Sequence, residues 1–123
     1  MTNGKILELA QGLPLCADLK GIKVAFAIAK NSRLISKEIE GLTEVIKKLQ
    51  EEHSEKDDKG ESIIKDNNYQ MIDKEKFNSD YKALMDIENG IILHKIKEED
   101  LPADISARQL AILFDFIQEN ETK

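Results

Sequence analysis

The stretch from Ile22 to about Glu55 constrains this chain more than any other, because it contains no proline and a single glycine, Gly41. With the two strong helix breakers nearly absent, it predicts one long helix. Ile28, Ile35, Leu42 and Leu49 recur every seven residues, and Ala25, Ser32, Ile39 and Ile46 form a second series offset so that spacings alternate three and four. Those are the d and a positions of a heptad seam. At 1.5 Å per residue such a helix extends on the order of 50 Å, far beyond the radius of gyration of about 13 to 14 Å for a compact domain of this size. Its second half needs a partner helix, from within the chain or from another copy. The stripe Ile35, Ile39, Leu42, Ile46 and Leu49 accordingly predicts self-association, as a dimer or larger homo-oligomer. The first half differs: Val24, Ala25, Phe26, Ala27, Ile28 and Ala29 are apolar all round. That predicts burial on most sides, with the core of the fold beside it.

The flanks read as shorter elements. Ile6, Leu9, Ala10, Leu13, Cys16 and Ala17 recur at helical spacing, with Thr2 or Asn3 available as cap. Pro14 predicts a kink or break, and Lys20-Gly21 a turn. From Glu51 to Ser62 no residue is apolar, which predicts a solvated helix end and loop at the tip of the molecule. Ser62-Ile63-Ile64-Lys65 and Tyr69-Gln70-Met71-Ile72 flank Asp66-Asn67-Asn68 and predict a hairpin, since Asn tolerates left-handed backbone angles. Asp73 caps a helix to about Asp86, with Phe77, Tyr81, Leu84 and Met85 on one face. Ile91 to Lys97 alternates like a strand. Ser106 and Gln109 form a capping box opening a last helix to about Glu119, with Leu110, Leu113, Phe114 and Ile117 as its buried stripe. The fold class expected is α+β, predominantly helical, with a long central helix (about 22–55), shorter helices and a small β element. Its 123 residues suit one domain, 1–123, with a helical hairpin or tip projecting around 45–62.

Composition narrows function by exclusion. A net charge of −6 disfavours a sequence-independent grip on nucleic acid. Aromatic residues make up 5% of the chain and Trp is absent, so base-stacking platforms have little material. Cys16, the lone cysteine, cannot form an intrachain disulfide and fits a reducing, cytoplasmic compartment. Without an apolar run near the ~20 residues that span a bilayer, no membrane association is expected. His53 and His94 have no carboxylate or thiol at a metal-ligand spacing, so neither metal nor cofactor is expected. His53 reads as a surface residue, His94 as a partly buried one, and Cys16 as a buried structural thiol. The acidic residues from Glu51 to Glu61 lack the ligand pattern of an EF-hand. No phosphate-binding glycine loop or nucleophile elbow is present, and no enzyme activity is expected. Lys20, Lys23, Lys30 and Arg33 crowd the start of the long helix. They solvate the outside of an apolar segment or, as Lys23, Lys30 and Arg33 together, bind an anion.

The stretch Ile22 to Asn31, the charged helix after it, the Glu55-Lys56-Asp57-Asp58-Lys59-Gly60 loop, the Asp73…Phe77…Leu84 segment and the Asp104-Ile105-Ser106…Leu110 start of the last helix carry a resemblance. The chain resembles a family of small proteins of tailed bacteriophages and prophages of Gram-positive bacteria. Its departures are Pro14 within the first helix and Gly21 before Ile22. The resemblance implies a phage setting and brings no catalytic residues. The function expected is that of a phage accessory protein in the host cytoplasm that binds a host or phage protein without catalysis, such as a host defence effector. A sponge for a small anionic, nucleotide-type host signal is the alternative, as is a structural or assembly component of the particle.

Overall fold

The computed structural model describes residues 1–118. The fold is α+β and predominantly helical: α1 (Asn3–Gly12), α2 (Ile22–His53), β1 (Ile64–Lys65), β2 (Asn68–Tyr69), α3 (Lys74–Met85), β3 (Ile96–Lys97), α4 (Ala107–Leu113) and β4 (Ile117–Gln118). β1 and β2 form an antiparallel pair, whereas β3 and β4 pair in parallel with Ile96 opposite Ile117.

α1 begins where the Thr2 side chain accepts a hydrogen bond from the Lys5 amide, and it tightens into a 3-10 turn over Leu13–Cys16, with Pro14 in its first turn. Pro14 has no amide hydrogen to continue the α-helical bonding, and α1 gives way to the tighter turn there. Gly12 lies where α1 meets α4: a Cβ there would stand 3.1 Å from Ile112 Cγ1, so any larger residue would have to push the Ile112 side chain aside by a few tenths of an ångström. Asn3, buried, fastens this end of the chain to the end of α3, donating from Nδ2 to the Leu84 carbonyl at 2.9 Å and from its amide to the Ile87 carbonyl at 3.0 Å.

The core gathers around the first half of α2, where Val24, Ala27 and Ile35 pack with Ile6, Leu9, Leu13, Cys16, Leu93, Ile96, Leu113 and Phe116. The location agrees with the apolar run, but burial on most sides does not hold. Ala25, Phe26 and Ala29 are exposed, because among the described residues no element packs closely over the side of α2 that carries them.

The predicted association seam is partly covered within the chain. Ile35 and Leu42 are buried, and Ile39, Ile46 and Leu49 are half-buried. That cover comes from within the chain: α1 packs on α2, and α3 returns along it. His53 locks that return, its Nε2 lying 2.8 Å from Asp80 Oδ2 and its ring edge-on to Phe77 at 5.9 Å. Spacing reveals that a helix needs cover, and whether the cover is local depends on the loop that follows.

The loop from Glu55 to Glu61 is exposed, as expected, but it is built from β bridges and not as a helical hairpin. After His53 the chain folds back through β turns, with the Ile63 amide donating to Glu55 O (2.8 Å) and the Glu55 amide to Gln70 O (2.7 Å). Ser54 is fully buried, and its Oγ lies 2.7 Å from Ser62 Oγ and accepts from Lys56 Nζ at 2.7 Å. Asp66 and Asn67 take φ of 53° and 65°, the paired left-handed geometry of a type I′ hairpin turn.

The C-terminal region also departs from expectation. The Ser106–Gln109 capping box forms, but α4 ends at Leu113 and tightens into a 3-10 turn over Phe114–Phe116 before β4. Phe114 thereby points outward, Leu110 is exposed, and Phe116 takes the core position. Glu119, the expected end of the helix, lies outside the described residues.

Cys16 is fully buried with Sγ 3.9 Å from the Gln109 carbonyl. Burial pushes its thiol pKa up, with the Asp18 carboxylate adding to the shift. A raised folded-state pKa keeps the thiol protonated well above neutrality, so any stability it contributes is present below the ordinary thiol range and is lost as pH rises past it. Since the thiolate is the nucleophile, Ellman's reagent at pH 8 will leave Cys16 unmodified in the native protein and modify it fully in denaturant. Rapid labelling of the native protein would contradict this packing.

Candidate functional site

Gly21 starts α2 from a positive φ of 116°, a conformation that suits a residue without Cβ. The first turn of α2 therefore leaves the loop sharply, and Ile22 stands 87% exposed. Opposite it runs the segment 91–100. Only Ile96 and Lys97 of this segment join a sheet. The remainder is held by side-chain amides, the Ile91 amide donating to Asn89 Oδ1 at 2.9 Å. Asn31 does more: its Nδ2 donates to the His94 carbonyl at 2.9 Å, and its Oδ1 accepts from the His94 amide at 2.7 Å. A fully buried Asn31 side chain thus takes the place of a neighbouring strand.

This clamp sets the far wall of a groove of about 440 Å³ lined by Ile22, Lys23, Phe26, His94, Ile96 and Lys97, among others. Phe26 is 55% exposed. The His94 ring meets it edge-on at 5.3 Å, and Lys30 Nζ lies 5.8 Å from its ring centroid, within reach of a cation–π attraction. Lys23 Nζ is 3.6 Å from Asp100 Oδ1, and Lys95 Nζ donates to the Asp115 carbonyl at 2.8 Å. The groove combines apolar floor, aromatic face and cationic rim, a combination that binds anions bearing apolar groups.

Of the three cations expected to act together, Lys23 stands in the groove, Lys30 covers Phe26, and Arg33 lies exposed one turn further along the same face. The structure adds Lys95 and Lys97 from the opposite wall, and Lys37 beyond Arg33. The missed residues had a signal: Lys23, Phe26, Lys30, Arg33 and Lys37 follow one another at steps of three, four, three and four, which is one helix face. Asn31 had none, because its partner lies 63 positions away.

Neither Cys16 nor His53 approaches the groove. Among the described residues the His94 ring has no carboxylate or thiol within hydrogen-bonding distance, and no three His, Cys, Asp or Glu side chains cluster to hold a metal ion. No helix of the described residues is long and apolar enough to cross a membrane. Comparison with protein-family models, curated proteins and solved structures returns no match, so the reading of this site rests on its chemistry.

Proposed function

We propose that this chain is a non-catalytic binding protein that docks a partner protein on the groove at the start of α2. One observation carries the reading: Ile22 and Phe26, large apolar side chains 87% and 55% exposed, stand together in a groove rimmed by lysines. Exposed apolar surface rimmed by polar groups marks an interaction site, and a central aromatic among cations has the composition of an interface hot spot. In the phage setting that the sequence resemblance implies, the partner is a protein of the host, such as a defence effector.

Capture from host lysate by the purified chain tests the reading when wild type is compared with Phe26→Asp. The substitution replaces an exposed ring, so the melting temperature will change little, within what surface substitutions usually cause. Retention of the captured partner will fall at least tenfold. Undiminished retention by Phe26→Asp would sink the proposal.

The volume of the groove supports a second reading, sequestration of a small anionic signal, since about 440 Å³ lies within the range of small-ligand sites. Calorimetric titration with nucleotides would then show binding that Phe26→Asp and Lys23→Glu abolish.

A further inference from the structure

The groove is one end of a longer feature. Lys23, Phe26, Lys30, Arg33 and Lys37 are all exposed and share one face of α2, turned away from the buried Val24, Ala27, Asn31 and Ile35. From Lys23 to Lys37 this face runs about 21 Å at 1.5 Å per residue. It carries no acidic side chain over that length, on a protein whose net charge is −6.

Little within the described residues answers these charges. Lys23 has Asp100, Lys30 has the Phe26 ring, and Arg33 and Lys37 have no ion pair. Arg33 and Lys37 repel one another one turn apart, an unfavourable helical spacing for like charges. Lys23 also sits in the first turn of the helix, where the macrodipole favours anions over cations. One arrangement relieves all three costs: an anionic surface laid along this face.

Resting on the binding reading above, we infer that the partner presents an acidic amphipathic helix, which lies along α2 from Lys23 to Lys37 and seats an apolar side chain in the groove beside Phe26. Length decides between this occupant and a small anion. A small anion would meet two or three cations at one end and leave Arg33 and Lys37 unanswered, whereas a helix of about four turns spans the face. An apolar anchor docked in a groove with its charges outside is how amphipathic helices are recognised, and opposite fields would speed and orient the encounter.

The probe is a synthetic helical peptide of about 18 residues, roughly 27 Å long, with Leu at i, i+3, i+4 and i+7 and Glu elsewhere; its controls are a scrambled order of the same residues and a version with Lys in place of Glu. Fluorescence anisotropy at low salt will show binding of the Glu peptide. Binding will be at least tenfold weaker for the scrambled peptide and for the Lys30→Glu, Arg33→Glu, Lys37→Glu triple variant, and that variant will instead bind the Lys version. Amide shift changes will fall on residues 22–37 and 94–97. Equal binding of the scrambled peptide, shifts elsewhere, or no preference of the triple variant for the Lys peptide would overturn the inference, as would AMP shifting the Phe26 and His94 signals while the Glu peptide fails to bind. Partner capture separates the two levels: loss in Phe26→Asp with full retention in the triple variant removes the acidic helix and leaves the binding groove intact.

Discussion

Phe116→Ala will lower the stability of this protein by about 3–5 kcal/mol, the usual result of truncating a fully buried phenylalanine, whereas Phe114→Ser, two positions away, will change it by no more than about 0.5 kcal/mol. Phe116 is fully buried, and Phe114 is 71% exposed. A domain of this size has about 5–15 kcal/mol in total, so the first variant loses about a fifth or more of its margin. Its melting temperature will drop by roughly 10 °C or more. Urea unfolding of the two variants beside wild type measures the difference. The reverse order of losses would mean that α4 continues as an unbroken helix past Leu113, with Phe114 on its inner side and Phe116 outside.

That contrast marks the limit of what periodicity can tell. Leu110, Leu113, Phe114 and Ile117 are spaced as an inner stripe, yet of these only Leu113 is fully buried. The reason is non-local: β4 pairs with β3, which is 21 positions earlier in the register Ile96–Ile117, and the 3-10 turn over Phe114–Phe116 rotates the chain to reach it. Signals contained within a few residues did survive, among them the Thr2 cap, the Asp73 cap, the Ser106–Gln109 box, the hairpin turn at Asp66-Asn67 and the break at Pro14. Each is a hydrogen bond or dihedral preference that near neighbours decide.

The long helix falls between these cases. Its extent was legible to within two residues, Glu55 expected and His53 found, because helix breakers are local. Which of its faces would be covered was not. The heptad stripe is partly covered by α1 and α3, and the more open face is the one bearing Phe26. The candidate site was half legible for the same reason. Lys23, Lys30 and Arg33 could be grouped by spacing, but the opposite wall with His94, Ile96 and Lys97 arrives from 61 to 74 positions away, held by a contact that only the folded chain reveals.

That contact carries the second large effect. Asn31→Ala will cost about 2–4 kcal/mol, because it strands the amide and the carbonyl of His94 together at a part-buried position, and each unpaired group costs about 1–3 kcal/mol once water cannot replace the lost partner. Asn31→Leu will do no better, since the space is filled but neither group is answered. Asn31→Asp retains an acceptor for the His94 amide and sets a second oxygen against the His94 carbonyl, where the wild-type Nδ2 donates at 2.9 Å, so it too will destabilise. Hydrogen exchange separates this role from general packing. The His94 amide lies in an extended segment without a strand neighbour, yet it will exchange slowly in wild type and rapidly in Asn31→Ala, ahead of the core amides. A wild-type His94 amide that exchanges at the rate of an open loop would refute the clamp. Because His94 and Ile96 form one wall of the groove, the same variant will weaken partner binding although Phe26 and the cations of α2 are untouched. Phe26→Asp, in contrast, will weaken binding at nearly unchanged stability. The two variants together distinguish a residue that meets the partner from one that holds the wall in place.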